Sequence, residues 1–154
     1  MYKMKILMVC LGNICRSPIA EGVLQHLANN HNLNWVVESA GTNQFHIGEA
    51  PHKSSQKVCK ENGIDISHQR ARRFKKEDFV EYDLIFALAT DVIDEMKVLT
   101  QPHFNETKVQ LLLDVIYPGE NKSVTDPWYG TEAGYYPVFE EIKKCCEAIV
   151  SKYK

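Results

Sequence analysis

Two periodicities alternate along this chain. Short, largely apolar runs at 4–10, 35–39, 83–88 and 108–113 have the length and β-branched content of strands. Between them apolar positions return every three or four residues. Ile19, Val23 and Leu27 follow the first run, a helix is predicted over about 54–62 up to Gly63, and another over 91–99. Val138, Phe139, Ile142, Cys145, Cys146, Ile149 and Val150 trace a closing amphipathic helix. Strands alternating with helices predict an α/β fold: a single domain over 1–154, a four-stranded parallel twisted sheet with helices on both faces. Ligands of such sheets sit beyond the carboxyl ends of the strands, so the loop after the first strand is the place to look for chemistry.

That loop is short. Its strand ends at Cys10, and Gly12 and Asn13, which tolerate unusual backbone angles, come next. Ser17 followed by Pro18 is a helix-start signal, Ser as cap and Pro at the first helical position.

Composition narrows the setting without changing the fold. The chain has 154 residues, 44% apolar and 25% charged, as expected of one globular domain. It lacks the run of about 20 apolar residues that a membrane span requires. Eighteen basic against 20 acidic side chains leave a net charge of −2, with no broad attraction to nucleic acid or anionic lipid. An anionic ligand must therefore be held locally. Five cysteines, two of them adjacent at Cys145 and Cys146, suit free thiols of a reducing compartment better than a disulfide framework. The first apolar run reaches Asn13 and Arg16 without a cleavage signal, so a cytoplasmic location is expected. The charged stretch 68–76, with Arg70, Arg72, Arg73, Lys75 and Lys76, reads as a solvated face.

The chemistry is concentrated in VCLGNICRS. A strand-to-helix loop of this length, here Leu11, Gly12, Asn13, Ile14 and Cys15, can curl so that its N–H groups and the helix N-terminus form an anion cradle. Arg16 adds a planar fork able to bind two phosphate oxygens at once. Such a cradle favours the negative charge of a thiolate, so Cys10 is expected to act as a nucleophile. Ser17 can add a hydroxyl hydrogen bond to the thiolate. Cys59, Cys145 and Cys146 lie on apolar helix faces and read as core. No His-Glu-x-x-His or Cys-x-x-Cys pattern occurs, so neither metal nor cofactor is expected.

Residues 10–18 resemble the signature Cys-x-Gly-Asn-x-Cys-Arg-Ser-Pro of the low-molecular-weight protein tyrosine phosphatases. The resemblance extends over essentially the whole chain, through ESAGT at 38–42, SH at 67–68, KKEDF at 75–79 and DPWYG at 126–130. It implies that Cys10 is the nucleophile, Arg16 the phosphate clamp and Asp126 the general acid. Expelling a phenolate of pKa ~10 calls for such an acid, typically contributing 10²–10⁴ in rate. The same Asp would then serve as base on the water that hydrolyses a phosphocysteine. The resemblance also implies aromatic walls at Phe45, Trp128 and Tyr129. Asn13, Ser17, Ser39 and His68 match positions that brace the loop, and Cys15 matches a cysteine that pairs with an oxidised nucleophile. Substrates would be phosphotyrosine proteins, with inorganic phosphate or other oxyanions able to occupy the site, and neither nucleic acid nor membrane as partner. Related protein arginine phosphatases tend to carry Thr at the Ile14 position, and the apolar Ile14 suits a phenyl ring. Ala89 stands where family members often have an Asp, with Asp91 two residues on. Two alternatives stay open: an arsenate reductase of the same fold, and a non-catalytic thiol redox sensor. Against the first, no cysteine lies between Cys59 and Cys145.

Overall fold

The central strand β1 (Met4–Cys10) turns Ile6, Met8 and Cys10 to one core and Leu7 and Val9 to a second, so past Lys5 it has no polar face. This is why it reads as a largely apolar run. β2 (Trp35–Gly41) and β3 (Leu84–Ala87) flank it, and β4 (Val109–Leu111) pairs with β3. All pairs are parallel, in the order β2-β1-β3-β4. The structure, a computed structural model, describes residues 3–154, and the first two residues of the expected domain lie outside them.

Among the described residues five helices complete the fold: α1 (Arg16–Asn30), α2 (Lys53–Glu61), α3 (Asp78–Glu81), α4 (Thr90–Thr100) and α5 (Tyr135–Tyr153). The larger core joins one face of the sheet to α1, α2 and α5, through Ile19, Val23, Leu24, Val58, Phe139 and Ile142. Cys59, Cys145 and Cys146 are buried within it as free thiols. The smaller core packs Phe79 of α3 and Val92 and Met96 of α4 against Leu7, Val9 and Ile85. Helices therefore cover both faces.

Three local departures from the expected pattern bear on the site. α1 begins at Arg16 after an N-cap at Cys15 with no side-chain cap bond, so Ser17 is not the cap its Ser-Pro signal suggested. Its hydroxyl is turned to other partners. β4 is only three residues long, because Leu112 and Leu113 leave the strand direction in a 3₁₀ turn and are buried in the larger core. The charged stretch 68–76 is not a uniformly solvated face: Ala71 and Phe74 are buried, and its backbone runs beside the end of β2. There Gly41 N–H donates to Arg72 O at 2.8 Å and Phe74 N–H to Gly41 O at 2.7 Å. A Cβ on Gly41 would lie 2.7 Å from Leu11 O, so only glycine lets β2 end this close to the loop.

Candidate active site

Between the end of β1 and the start of α1 the chain turns within five residues, and Asn13 takes the left-handed conformation, φ 58°. Asparagine visits that region more readily than most residues because its short amide can bond locally. Here the amide does more than that. Nδ2 donates to Ser17 Oγ at 2.8 Å and to Ser39 Oγ at 2.9 Å, while Oδ1 accepts from Arg72 N–H at 3.1 Å. Ser39 in turn donates to Glu21 Oε1 at 2.7 Å. Ser17 Oγ stands 2.9 Å from Cys10 Sγ. A hydroxyl has one hydrogen and two lone pairs, so accepting from Asn13 leaves the hydrogen available to the sulfur. Burial pushes the Glu21 carboxyl up to about 7, with the Ser39 hydroxyl acting the other way.

Arg16, in the first turn of α1, is buried. Its Nη1 donates to Val124 O at 3.0 Å, and Nη2 lies 3.5 Å from Asp126 Oδ2. Asp126 also caps the 3₁₀ turn Pro127–Tyr129, accepting from Trp128 N–H at 3.1 Å. Cys10, Arg16 and Asp126 thus line one cavity of about 230 Å³, together with Leu11, Gly12, Ile14 and Cys15. Phe45, Trp128 and Tyr129 line its mouth from two separate loops. Trp128 is 48% exposed, against 78% for Phe45 and 83% for Tyr129. The difference has a cause: Trp128 rests against His46 and His52, with ring centroids 5.7 and 5.6 Å away. Beneath the loop, Cys15 Sγ lies 3.4 Å from Tyr135 OH, and burial raises its thiol to about 11.

Comparison with known proteins gives the family. The family model of low molecular weight phosphotyrosine protein phosphatases matches residues 5–154. The chain belongs to that family. A human low molecular weight phosphotyrosine protein phosphatase is 37% identical over 150 residues, covering 96% of this chain and 94% of that protein. The crystal structure of an Entamoeba histolytica protein tyrosine phosphatase with Hepes in the active site superposes with a TM-score of 0.87 at 34% identity, covering 97% and 96% of the two chains. A Drosophila arginine phosphatase also reaches 0.87, at 32% identity and 98% coverage of both. Substrate choice must therefore be argued from the cleft.

One brace expected for this family member is not where the sequence suggested. His68 is exposed on the rim of a separate cleft with Glu21, Gln25 and His26, and no hydrogen bond joins it to the loop among the described residues. Ile66 and Ala71 are anchored in the core, and the turn between them, closed by Gln69 N–H to Ile66 O at 3.1 Å, buries Gln69 instead. Gln69 Nε2 donates to Pro18 O at 3.2 Å. Ala89 is buried in the smaller core, Asp91 is exposed on α4, and neither lines the cavity.

A supporting network lies beyond the residues that the sequence singles out. Arg72 forms a two-pronged pair with Asp78, both contacts 3.1 Å, and donates to Tyr82 OH at 3.1 Å. Tyr82 donates to Glu38 Oε1 at 2.6 Å. Glu38 and Asp78 fall inside the matched strings ESAGT and KKEDF, which was the only available signal. Nothing in a run of arginines marked Arg72 as the one whose backbone reaches Asn13.

Proposed function

We propose that this protein is a phosphoric monoester hydrolase that removes phosphate from tyrosine residues of protein substrates through a phosphocysteine at Cys10. The observation that carries the reading is the 2.9 Å contact between Cys10 Sγ and a hydroxyl oriented by Asn13, at the floor of a cavity also lined by Arg16 and Asp126. Amides of Leu11 to Cys15, the α1 N-terminus and Arg16 hold the phosphate dianion, and the same positive groups favour the thiolate. Arg16 keeps its anchor on Val124 O, while phosphate oxygens compete with Asp126 for Nη2.

In the first step Sγ attacks phosphorus, the bond from phosphorus to the phenolic oxygen breaks, and Asp126 delivers its proton to that oxygen. In the second, Asp126 takes a proton from water as the water oxygen attacks phosphorus. The S–P bond then breaks, inorganic phosphate leaves and the thiolate returns. Every charge change is met by groups of this chain, so activity is expected to survive EDTA. Phe45, Trp128 and Tyr129 serve as walls for a flat ring. Asn13, Ser17 and Ser39 orient the loop. The whole of 1–154 acts as one domain. A cytoplasmic setting fits the free thiols, and no helix among the described residues is long and apolar enough to cross a membrane.

A phosphoarginine substrate is the second reading, raised by the Drosophila relative. Ile14 is buried and lines the cavity, and an apolar side chain there offers a guanidinium no partner. Turnover of p-nitrophenyl phosphate by wild type and its loss in Cys10→Ser test the first reading. Faster release of phosphate from phosphoarginine than from phosphotyrosine peptides would establish the second.

A further inference from the structure

His52 stands just before α2 and touches both halves of the site. Its Nδ1 accepts a hydrogen bond from Ser54 N–H at 3.0 Å and so caps the helix. A ring nitrogen that accepts from an amide carries no proton, so the imidazole is neutral with its hydrogen on Nε2. Burial, and Lys53 beside it, lower the pKa in keeping with this. The first turn that His52 caps is tied to the anion-binding loop. His52 N–H donates to Ile14 O at 2.8 Å, and Ser55 Oγ to Cys15 O at 3.1 Å. In a trans peptide the carbonyl and the following N–H point opposite ways. Holding those two oxygens on α2 therefore turns the Cys15 and Arg16 amides away from α2.

The ring has separate work. It stacks on Tyr135, centroids 5.3 Å apart and planes 15° from parallel, and meets Trp128 edge to face at 5.6 Å and 80°. Tyr135 OH lies 3.4 Å from Cys15 Sγ, and Trp128 directly follows the Asp126-Pro127 pair.

We propose that His52 is a positioning residue with two separable actions, Nδ1 holding the anion-binding loop through α2 and the ring holding Trp128 as the wall for an aromatic substrate. The proposal rests on the phosphatase reading above. It predicts that anion binding and aryl binding come apart when each action is removed alone. His52→Phe keeps a ring and deletes the cap. His52→Asn keeps a favoured capping acceptor and deletes the ring.

The experiment measures competitive inhibition of p-nitrophenyl phosphate hydrolysis by inorganic phosphate and by phenylphosphonate. For His52→Phe both inhibitors weaken by the same factor, about fivefold, the size of a lost cap. For His52→Asn phosphate inhibition stays within about twofold of wild type while phenylphosphonate weakens about fivefold, the size of one aromatic contact. Trp128→Ala gives the same selective loss, and adding His52→Asn to it costs little more, because contacting residues are not additive. This cycle decides the ring's role even where His52→Phe folds poorly. Equal weakening of both inhibitors in His52→Asn, no change in either inhibitor for both variants, or additive losses with Trp128→Ala would each overturn the proposal. A wild-type protein that neither hydrolyses p-nitrophenyl phosphate nor is inhibited by phosphate would overturn the phosphatase reading itself.

Discussion

Ser17 Oγ lies 2.9 Å from Cys10 Sγ while accepting from Asn13 Nδ2 at 2.8 Å, so an amide one turn of chain away sets which way the hydroxyl can give its proton. A hydrogen bond to a charged group contributes roughly 1.5–3 kcal/mol, equivalent to about tenfold to a hundredfold. Ser17→Ala is expected to leave a less reactive thiol and lower kcat/KM by at least about tenfold. The rate of Cys10 alkylation by iodoacetate at neutral pH checks this and should fall. An unchanged rate would mean that the hydroxyl does not stabilise the thiolate.

Arg16 is held by one nitrogen on a backbone carbonyl and offers the other to the cavity. A lysine can meet one oxygen as a point charge but cannot reproduce this division of labour. Arg16→Lys should therefore fail nearly as badly as Arg16→Ala, by about 10² or more in kcat/KM, the scale of a lost transition-state donor. Steady-state kinetics with p-nitrophenyl phosphate decide it, and near-normal turnover in Arg16→Lys would exclude a planar clamp.

Most of the fold was legible because β1 is apolar on both faces and α1 and α5 repeat their apolar positions along one side. The loop was legible for a different reason: Cys10, Gly12, Asn13, Arg16 and Ser17 fall in one short stretch between a strand end and a helix start, and that setting, rather than the spacing alone, located them. What stayed hidden was assembled across the chain. Glu21, Ser39, Arg72, Asp78 and Tyr82 meet only after β2 and the 68–76 stretch fold beside the loop. The exchange of His68 for Gln69 arose because a turn between two buried anchors decides which side chain faces inward, and periodicity does not resolve a turn.

Glu21 gives that hidden network a pH signature. Its folded carboxyl is raised from an ordinary 4.5 to about 7, chiefly by burial. The folded state therefore binds a proton more tightly than the unfolded chain. The resulting stabilisation is complete below about pH 4.5 and is lost as pH rises through about 7. Glu21→Gln removes this titration, so the melting temperature of wild type relative to the variant should fall across that window. A constant difference would show that Glu21 titrates normally.

Asp126 is the acid in this account, and its contribution must depend on the leaving group. Asp126→Asn should slow phosphotyrosine far more than p-nitrophenyl phosphate, whose phenolate leaves with less help. A graded series of aryl phosphates measured against both forms would show a steeper dependence on leaving-group pKa for Asp126→Asn. Equal loss for every ester would send the search for the acid elsewhere.

On the proposed path phosphate passes through Cys10. Asp126→Asn also weakens the base that activates water, so the intermediate should persist in that variant. Mixing it with p-nitrophenyl phosphate, denaturing within the first turnover and locating the phosphoryl group by peptide mass spectrometry tests the claim directly. The expected result is one phosphoryl group on Cys10, with a matching burst of p-nitrophenolate. Steady release of p-nitrophenolate with no protein-bound phosphate, or phosphate on any other residue, would contradict it.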